Sequence, residues 1–180
     1  MLGEAVVERG VAGDAATFEA FAARKLDPSY RIATLIIGNA ADAEDVTHDA
    51  FVAAWRAWST LRDPDRLDAW FGRILINRCR EHLRRGRRGR VVDISQELLE
   101  LPAAGDHAVE FADREALARG FARLDPDRRI CLVLRYYGDL SVREIADQTG
   151  IAEGTVKSRL HYGLRELRIS LVTDAIGGPA

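Results

Sequence analysis

At 180 residues the chain has room for one domain or two small ones, and 47% hydrophobic with 30% charged residues is an ordinary composition for a soluble globular protein. Its formal net charge of -2 conceals a pattern: residues 70–90 carry eight basic side chains against one acidic, while residues 1–69 carry seven against twelve, residues 91–127 three against nine and residues 128–180 eight against six. Charge distributed in this way argues against nucleic-acid contact over the whole surface and for contact at local patches.

Cys79 and Cys131 are isolated, with no CxxC pair and no His at ligand spacing, so buried thiols are expected rather than a zinc site or a disulfide framework. The four histidines, His48, His82, His107 and His161, stand in separate segments without paired carboxylates, which points away from an enzyme, a metal centre or a cofactor. No apolar run approaches a membrane span, and the N-terminus lacks a basic start followed by an apolar core. A cytoplasmic protein without membrane insertion is expected.

Taken in chain order, the first dozen residues read as frayed, and Asp14 reads as the cap of a helix with Phe18 and Phe21 on one side. A second helix is expected over the apolar stretch Tyr30 to Ile37, stopping at Gly38-Asn39, a pair suited to left-handed backbone. Asp42 then opens a long amphipathic helix whose core side is Val46, Ala50, Phe51, Ala54, Trp55 and Trp58. Asp42, Asp45 and Asp49 line its opposite side. The positive end of the helix dipole accounts for the first two but fades before Asp49, which leaves a basic partner surface as the alternative.

Residues 59–65, with Pro64 and a polar cluster, read as a loop and a candidate pocket wall. From Leu67 to Arg90 a helix is predicted in which Phe71, Leu75 and Cys79 recur in steps of four on the apolar side. Arg73, Asn77, Arg80 and Arg84 share the other side. Arg84, Arg85, Arg87, Arg88 and Arg90 extend the positive charge beyond what a core or a turn needs, and such a surplus of guanidinium suits phosphate. Asn77 adds an amide able to donate and accept toward a base edge. Trp70 lies at the border of the arginine side, and the sequence assigns it neither to the core nor to a base-binding wall.

Taken together, YRIATLIIGNAADAEDVTHDAFVAAWRAW and LDAWFGRILINRCREHLRR resemble region 2 of the extracytoplasmic-function sigma factors, the smallest promoter-specificity subunits of bacterial RNA polymerase. The resemblance implies that the helix bearing Asp42, Asp45 and Asp49 docks on the clamp helices of the polymerase beta-prime subunit. It also implies that the helix bearing Trp70, Arg73, Asn77, Arg80, Arg84 and Arg85, with its preceding loop, separates and reads the minus-10 element, Asn77 falling where the family recognises an unstacked base. His48-Asp49 departs from the family's usual Gln-Glu, although the docking helix stays acidic.

Residues 91–112 lose helical rhythm and contain Leu101-Pro102, Gly105 and scattered acids, so a linker is expected, either a tether or, by the resemblance, a mimic of nucleic-acid charge near the polymerase cleft. Helical periodicity returns near Asp113 with Leu117, Phe121 and Leu124, and again after Asp125-Pro126 with Ile130, Val133, Leu134 and Tyr137. Gly138-Asp139-Leu140 breaks the second of these helices. Ser141-Val142-Arg143-Glu144 is a capping box for a short helix to Gln148; Thr149-Gly150-Ile151 turns; and a last helix runs from Glu153 to Leu171, giving a helix-turn-helix.

On that last helix Val156, Leu160, Leu164, Leu167 and Leu171 are expected to be buried. Lys157, Ser158, His161, Tyr162, Arg165 and Arg168 face outward with Arg159 on the flank, a basic face suited to a major groove. The stretch LSVREIADQTGIAEGTVKSRLHYGLREL resembles region 4 of the same family, which reads the minus-35 element and meets the beta flap of the polymerase. Two departures stand out: Tyr162 occupies a position where the family often has Arg, and Gly163 one where it often has Ala, the latter at a helix cost of about 1 kcal/mol. The implied fold is all-α, with a region 2 bundle over 13–90, an acidic linker over 91–112 and region 4 over 113–172. The implied partners are core polymerase, promoter DNA and an anti-sigma factor.

Overall fold

A computed structural model describes residues 15–86 and 111–176, the side chains of 111–116 and 174–176 excepted, and every regular element among them is helical. Asp14, Arg87, Arg88, Arg90, His107 and the predicted linker up to residue 110 lie outside the described residues.

Helix α1 spans Ala15–Ile37 as one element, where the sequence predicted two. Pro28 sits inside it and removes one backbone donor. The helix continues because Phe21, Ser29, Ala33, Ile36 and Ile37 form a buried face on both sides of the proline, packed against α2, while Pro28 itself is exposed. Tertiary burial here outweighs local propensity. Gly38, at φ 81°, ends α1.

Helix α2, Ala40–Ala57, starts two residues before the expected Asp42, because Asn39 is the cap: its side chain accepts from the Asp42 backbone N–H at 2.9 Å. Val46, Ala50, Phe51 and Ala54 are buried as expected, and Trp58 follows as the start of a single 3-10 turn, Trp58–Thr60. Trp55 departs from expectation. It is 49% exposed, resting on Phe18 with ring centroids 5.0 Å apart, while Thr47 takes a buried place on the helix. A second 3-10 turn, Pro64–Arg66, capped by Asp63, leads into α3, Leu67–Gly86.

An aromatic cluster locks these helices together. Phe21 meets Phe71 edge-on at 5.1 Å, Phe51 lies 4.7 Å from Phe71, and Phe18 stands edge-on to Trp58 at 5.0 Å. Such pairs add about 0.5–1.5 kcal/mol each beyond the area they bury.

The C-terminal unit comprises α4, Phe111–Arg123; α5, Pro126–Tyr136; α6, Val142–Thr149; and α7, Glu153–Ile176. Helix α4 begins two residues earlier than expected and α7 ends five later. Asp125 caps α5 through the Asp127 backbone N–H at 3.0 Å. Residues 129–134 of α5 are buried in succession, since α1, α6 and α7 all pack on it; a helix hydrophobic nearly all round is a central one. Arg129 is buried among them. Burial lowers its pKa, opposed by the nearby Asp125, and its Nε has no hydrogen-bond partner.

The capping box is formed in both directions, with the Glu144 backbone N–H donating to Ser141 Oγ at 3.2 Å and the Ser141 N–H to Glu144 Oε2 at 2.8 Å. Its hydrogen bonds to Ser141 also lower the pKa of Glu144. Gly150, at φ 71°, makes the turn of the helix-turn-helix. On α7, Val156 and Leu167 are buried, but Leu164 is 40% exposed. Gly163 holds the seam instead: a Cβ there would stand 3.0 Å from Leu132 Cδ1 and 3.4 Å from Arg128 Cβ. The glycine that costs helix propensity lets α5 and α7 approach.

One continuous core joins the two units, running from Ile36, Phe71 and Ile76 to Ile130, Leu134, Ile145 and Val156. Cys79 and Cys131 belong to it as free buried thiols, and burial pushes the Cys79 thiol up to about 12. No described helix is long and apolar enough to cross a membrane.

Candidate nucleic-acid interface

Helix α3 places Phe71, Leu75 and Cys79 in the core, and the same 3.6-residue geometry turns Arg73, Asn77 and Arg84 outward, with Arg80 at the edge. Phe71 is 3% exposed and purely core. Trp70 is half-buried, edge-on to Trp58 at 6.1 Å. It lines a hollow with Leu61, Arg62, Asp63 and Arg73. Trp58 Nε1 is buried without a hydrogen-bond partner. Asn77 and Arg84 border a second hollow, of about 660 Å³, between α3 and the start of α5. Arg85 donates to Glu81 at 2.6 Å, one turn back.

Two of the α3 arginines reach the C-terminal unit. Arg73 Nη2 donates to the backbone carbonyl of Asp147 at 3.0 Å, and Arg80 Nη1 to that of Thr149 at 2.8 Å. Arg80 Nε also lies 3.3 Å from Asp127 Oδ1, whose other oxygen accepts from Arg159 Nη2 at 2.8 Å. Asp127 and the α6 carbonyls gave no sequence signal beyond an acidic residue in the first turn of α5.

On α2, Asp45 and Asp49 are exposed, and the Asp42 carboxylate lies 3.5 Å from His82 Nε2 of α3. On α7, Lys157, Ser158, His161, Tyr162, Arg165 and Arg168 are all exposed, and Arg159 is half-buried at its pair with Asp127. The guanidinium of Arg128 lies over the Tyr162 ring, 5.8 Å from its centroid, and pairs with Glu166 at 2.6 Å. A cation from α5 thus stands behind Tyr162. Sequence periodicity could not bring these two residues together.

The family model for Sigma-70 region 2 matches residues 18–89, and that for Sigma-70 region 4 matches residues 114–167. The chain is 32% identical to the RNA polymerase sigma-E factor of Streptomyces coelicolor over 89% of both chains, and 33% identical to the ECF RNA polymerase sigma factor SigL of Mycobacterium tuberculosis over 92% of this chain and 94% of that protein. The chain belongs to the extracytoplasmic-function family of RNA polymerase sigma factors. Helices α1–α3 are its region 2, and α4–α7 its region 4. Among solved structures, CnrH in complex with the cytosolic domain of CnrY superposes with a TM-score of 0.67 at 27% identity, covering 90% of this chain and 92% of that one. RpoE of Bartonella quintana, in complex with the anti-sigma factor NepR, gives the same TM-score at 24% identity over 87% of this chain and 98% of that one, a likeness of fold.

Proposed function

We propose that this sigma factor divides promoter reading between two helices. Arg73, Asn77, Arg80, Arg84 and Arg85 of α3, with Trp70 and its hollow, open and read the minus-10 element. Lys157, Ser158, Arg159, His161, Tyr162 and Arg165 of α7 read the minus-35 element in a major groove, with Arg128 supporting Tyr162. The observation that carries this reading is the hollow at Trp70, which opens beside Arg73 on the same helix as the exposed amide of Asn77. An unstacked base needs an aromatic wall, an edge reader and a cation for its phosphate.

Asp42, Asp45 and Asp49 meet the clamp helices of the polymerase beta-prime subunit, and region 4 meets the beta flap. Residues 13–90 and 113–172 form the two functional units, with 91–112 as the acidic connector. An anti-sigma factor holds the chain inactive, and it works in the cytoplasm beside core polymerase, performing no covalent chemistry of its own.

Run-off transcription with purified core polymerase on fragmented genomic DNA tests this reading. Discrete transcripts that require the wild-type protein, and that change start sites or vanish with Asn77→Ala, are expected. Transcripts indifferent to substitution of both Asn77 and Lys157 would overturn the site assignment.

A further inference from the structure

The exposed face of α7 carries an aromatic ring in a fixed setting. Tyr162 stands one turn after Ser158 on the same line of the helix, and half of it is open to solvent. Its ring meets that of His161 nearly at right angles, at 76° with centroids 5.3 Å apart. The Arg128 guanidinium of α5 lies over the ring, 5.8 Å from its centroid, where the ring quadrupole attracts a cation. Arg128 Nη1 also pairs with Glu166 Oε2 at 2.6 Å, one turn after Tyr162. The next residue explains why α5 comes so near: a Cβ on Gly163 would stand 3.0 Å from Leu132 Cδ1 and 3.4 Å from Arg128 Cβ, so the missing side chain leaves room for Arg128 at this distance. Tyr162 is thereby presented with little freedom left to lose on binding.

What such a side chain can recognise follows from the major groove. Bases display hydrogen-bond donors and acceptors there, which Lys157 and Ser158 can meet, and one apolar group, the C5-methyl of thymine. The carbon atoms of a phenol ring neither donate nor accept. Against a polar base edge they would leave that edge unsatisfied; against the methyl they remove apolar surface from water. The competing use of the side chain is a hydrogen bond from its hydroxyl to a phosphate, which carries no sequence information. The contacts favour the ring, because Arg128 and His161 hold the ring and not the hydroxyl.

We infer that Tyr162 is the thymine reader of α7: its ring packs on the C5-methyl of one T:A pair in the minus-35 element, and Arg128 is the positioning residue that fixes the ring. The inference rests on the proposed entry of α7 into the major groove. At that position the feature read is the methyl group itself, not the hydrogen-bonding pattern of the pair.

The test uses holoenzyme assembled from the full chain and core polymerase, on a promoter that it transcribes with the minus-35 element randomised. Wild type is expected to enrich T:A at one position where Tyr162→Ala enriches none, and Tyr162→Phe is expected to keep the enrichment. At that position uracil in place of thymine removes the methyl alone. Wild-type affinity should fall about fourfold, the worth of one buried methyl group, and 5-methylcytosine should bind better than cytosine by a similar factor. Tyr162→Ala should distinguish neither pair of bases. Arg128→Gln should lower the thymine-over-uracil ratio while the selection that depends on Lys157 stays unchanged; an undiminished ratio overturns the positioning role. Equal affinity of wild type for thymine and uracil, or a preference lost in Tyr162→Phe as fully as in Tyr162→Ala, overturns the methyl contact and leaves the reading of α7 standing. Selection indifferent to both Lys157→Ala and Tyr162→Ala overturns that reading and the inference with it.

Discussion

Helices α3 and α7 carry similar basic outward faces, yet their surroundings differ. On α3, Arg73 and Arg80 donate to the opposite unit of the same chain, whereas on α7 Lys157, Ser158, His161 and Arg165 stand open to solvent. Arg159 is the exception on α7, tied to the same Asp127 as Arg80. Positive charge in a sequence therefore identifies a surface that suits an anion without saying whether the chain supplies one itself. The acidic acceptor came from the first turn of α5, far away in sequence and brought near only by packing.

The strongest challenge to this contrast goes through the core that makes the packing possible. Ile76 of α3 is 0% exposed and belongs to the core shared by both units. Ile76→Ala is expected to cost about 2–5 kcal/mol, and urea unfolding should show one transition moved as a whole. Two separated transitions, with region 4 unaffected, would mean that the units do not share a core in solution.

Next in size are the side chains proposed to read bases. Asn77→Ala and Lys157→Ala should each cost about 1–3 kcal/mol of discrimination at the position read, the first among minus-10 variants and the second among minus-35 variants, while binding to core polymerase is retained. Measured promoter competition that shows the same altered preference for both substitutions would erase the division between the helices.

The thiols sharpen the comparison by pH. Burial raises the Cys79 thiol from its ordinary value near 9 to about 12. The folded chain keeps this proton where the unfolded chain has lost it, so the stability it contributes is intact below pH 9 and falls by about 1.4 kcal/mol per pH unit between the two values. Cys79→Ala should have a shallower loss of stability than wild type above pH 9 in denaturant titrations; equal slopes would place the thiol in contact with water. The smallest effect is at Gly163. Its replacement by Ala adds helix propensity worth about 1 kcal/mol, but the new methyl meets Leu132 at 3.0 Å. Thermal unfolding should therefore show less than the full gain, and a full gain would mean the α5–α7 seam yields to the added methyl.

Local chemistry made much of the fold legible. Ser141 and Glu144 announced their capping box, Gly38 its left-handed helix stop, Gly150 its turn, and Phe71, Leu75 and Cys79 a core face by spacing alone. Expectations failed where a distant surface decided the outcome. Two helices were expected where α1 runs unbroken through Pro28, because packing on α2 buries the face on both sides of it, and Trp55 and Leu164 fit the periodic stripes yet lie exposed. Of the site, the outward positions on α3 and α7 were readable from periodicity. The Asp127 clamp and the cation of Arg128 behind Tyr162 were not, because each depends on a partner brought near by tertiary packing.

The division of labour between α3 and α7 is tested most directly by permanganate footprinting of the assembled holoenzyme on a promoter it transcribes, with protection from DNase mapped on the same fragment. Wild type should expose reactive thymines at the minus-10 element and protect the minus-35 element, and Asn77→Ala combined with Arg73→Ala should lose the reactive thymines while keeping the upstream protection. Undiminished minus-10 opening in that double variant would contradict the account.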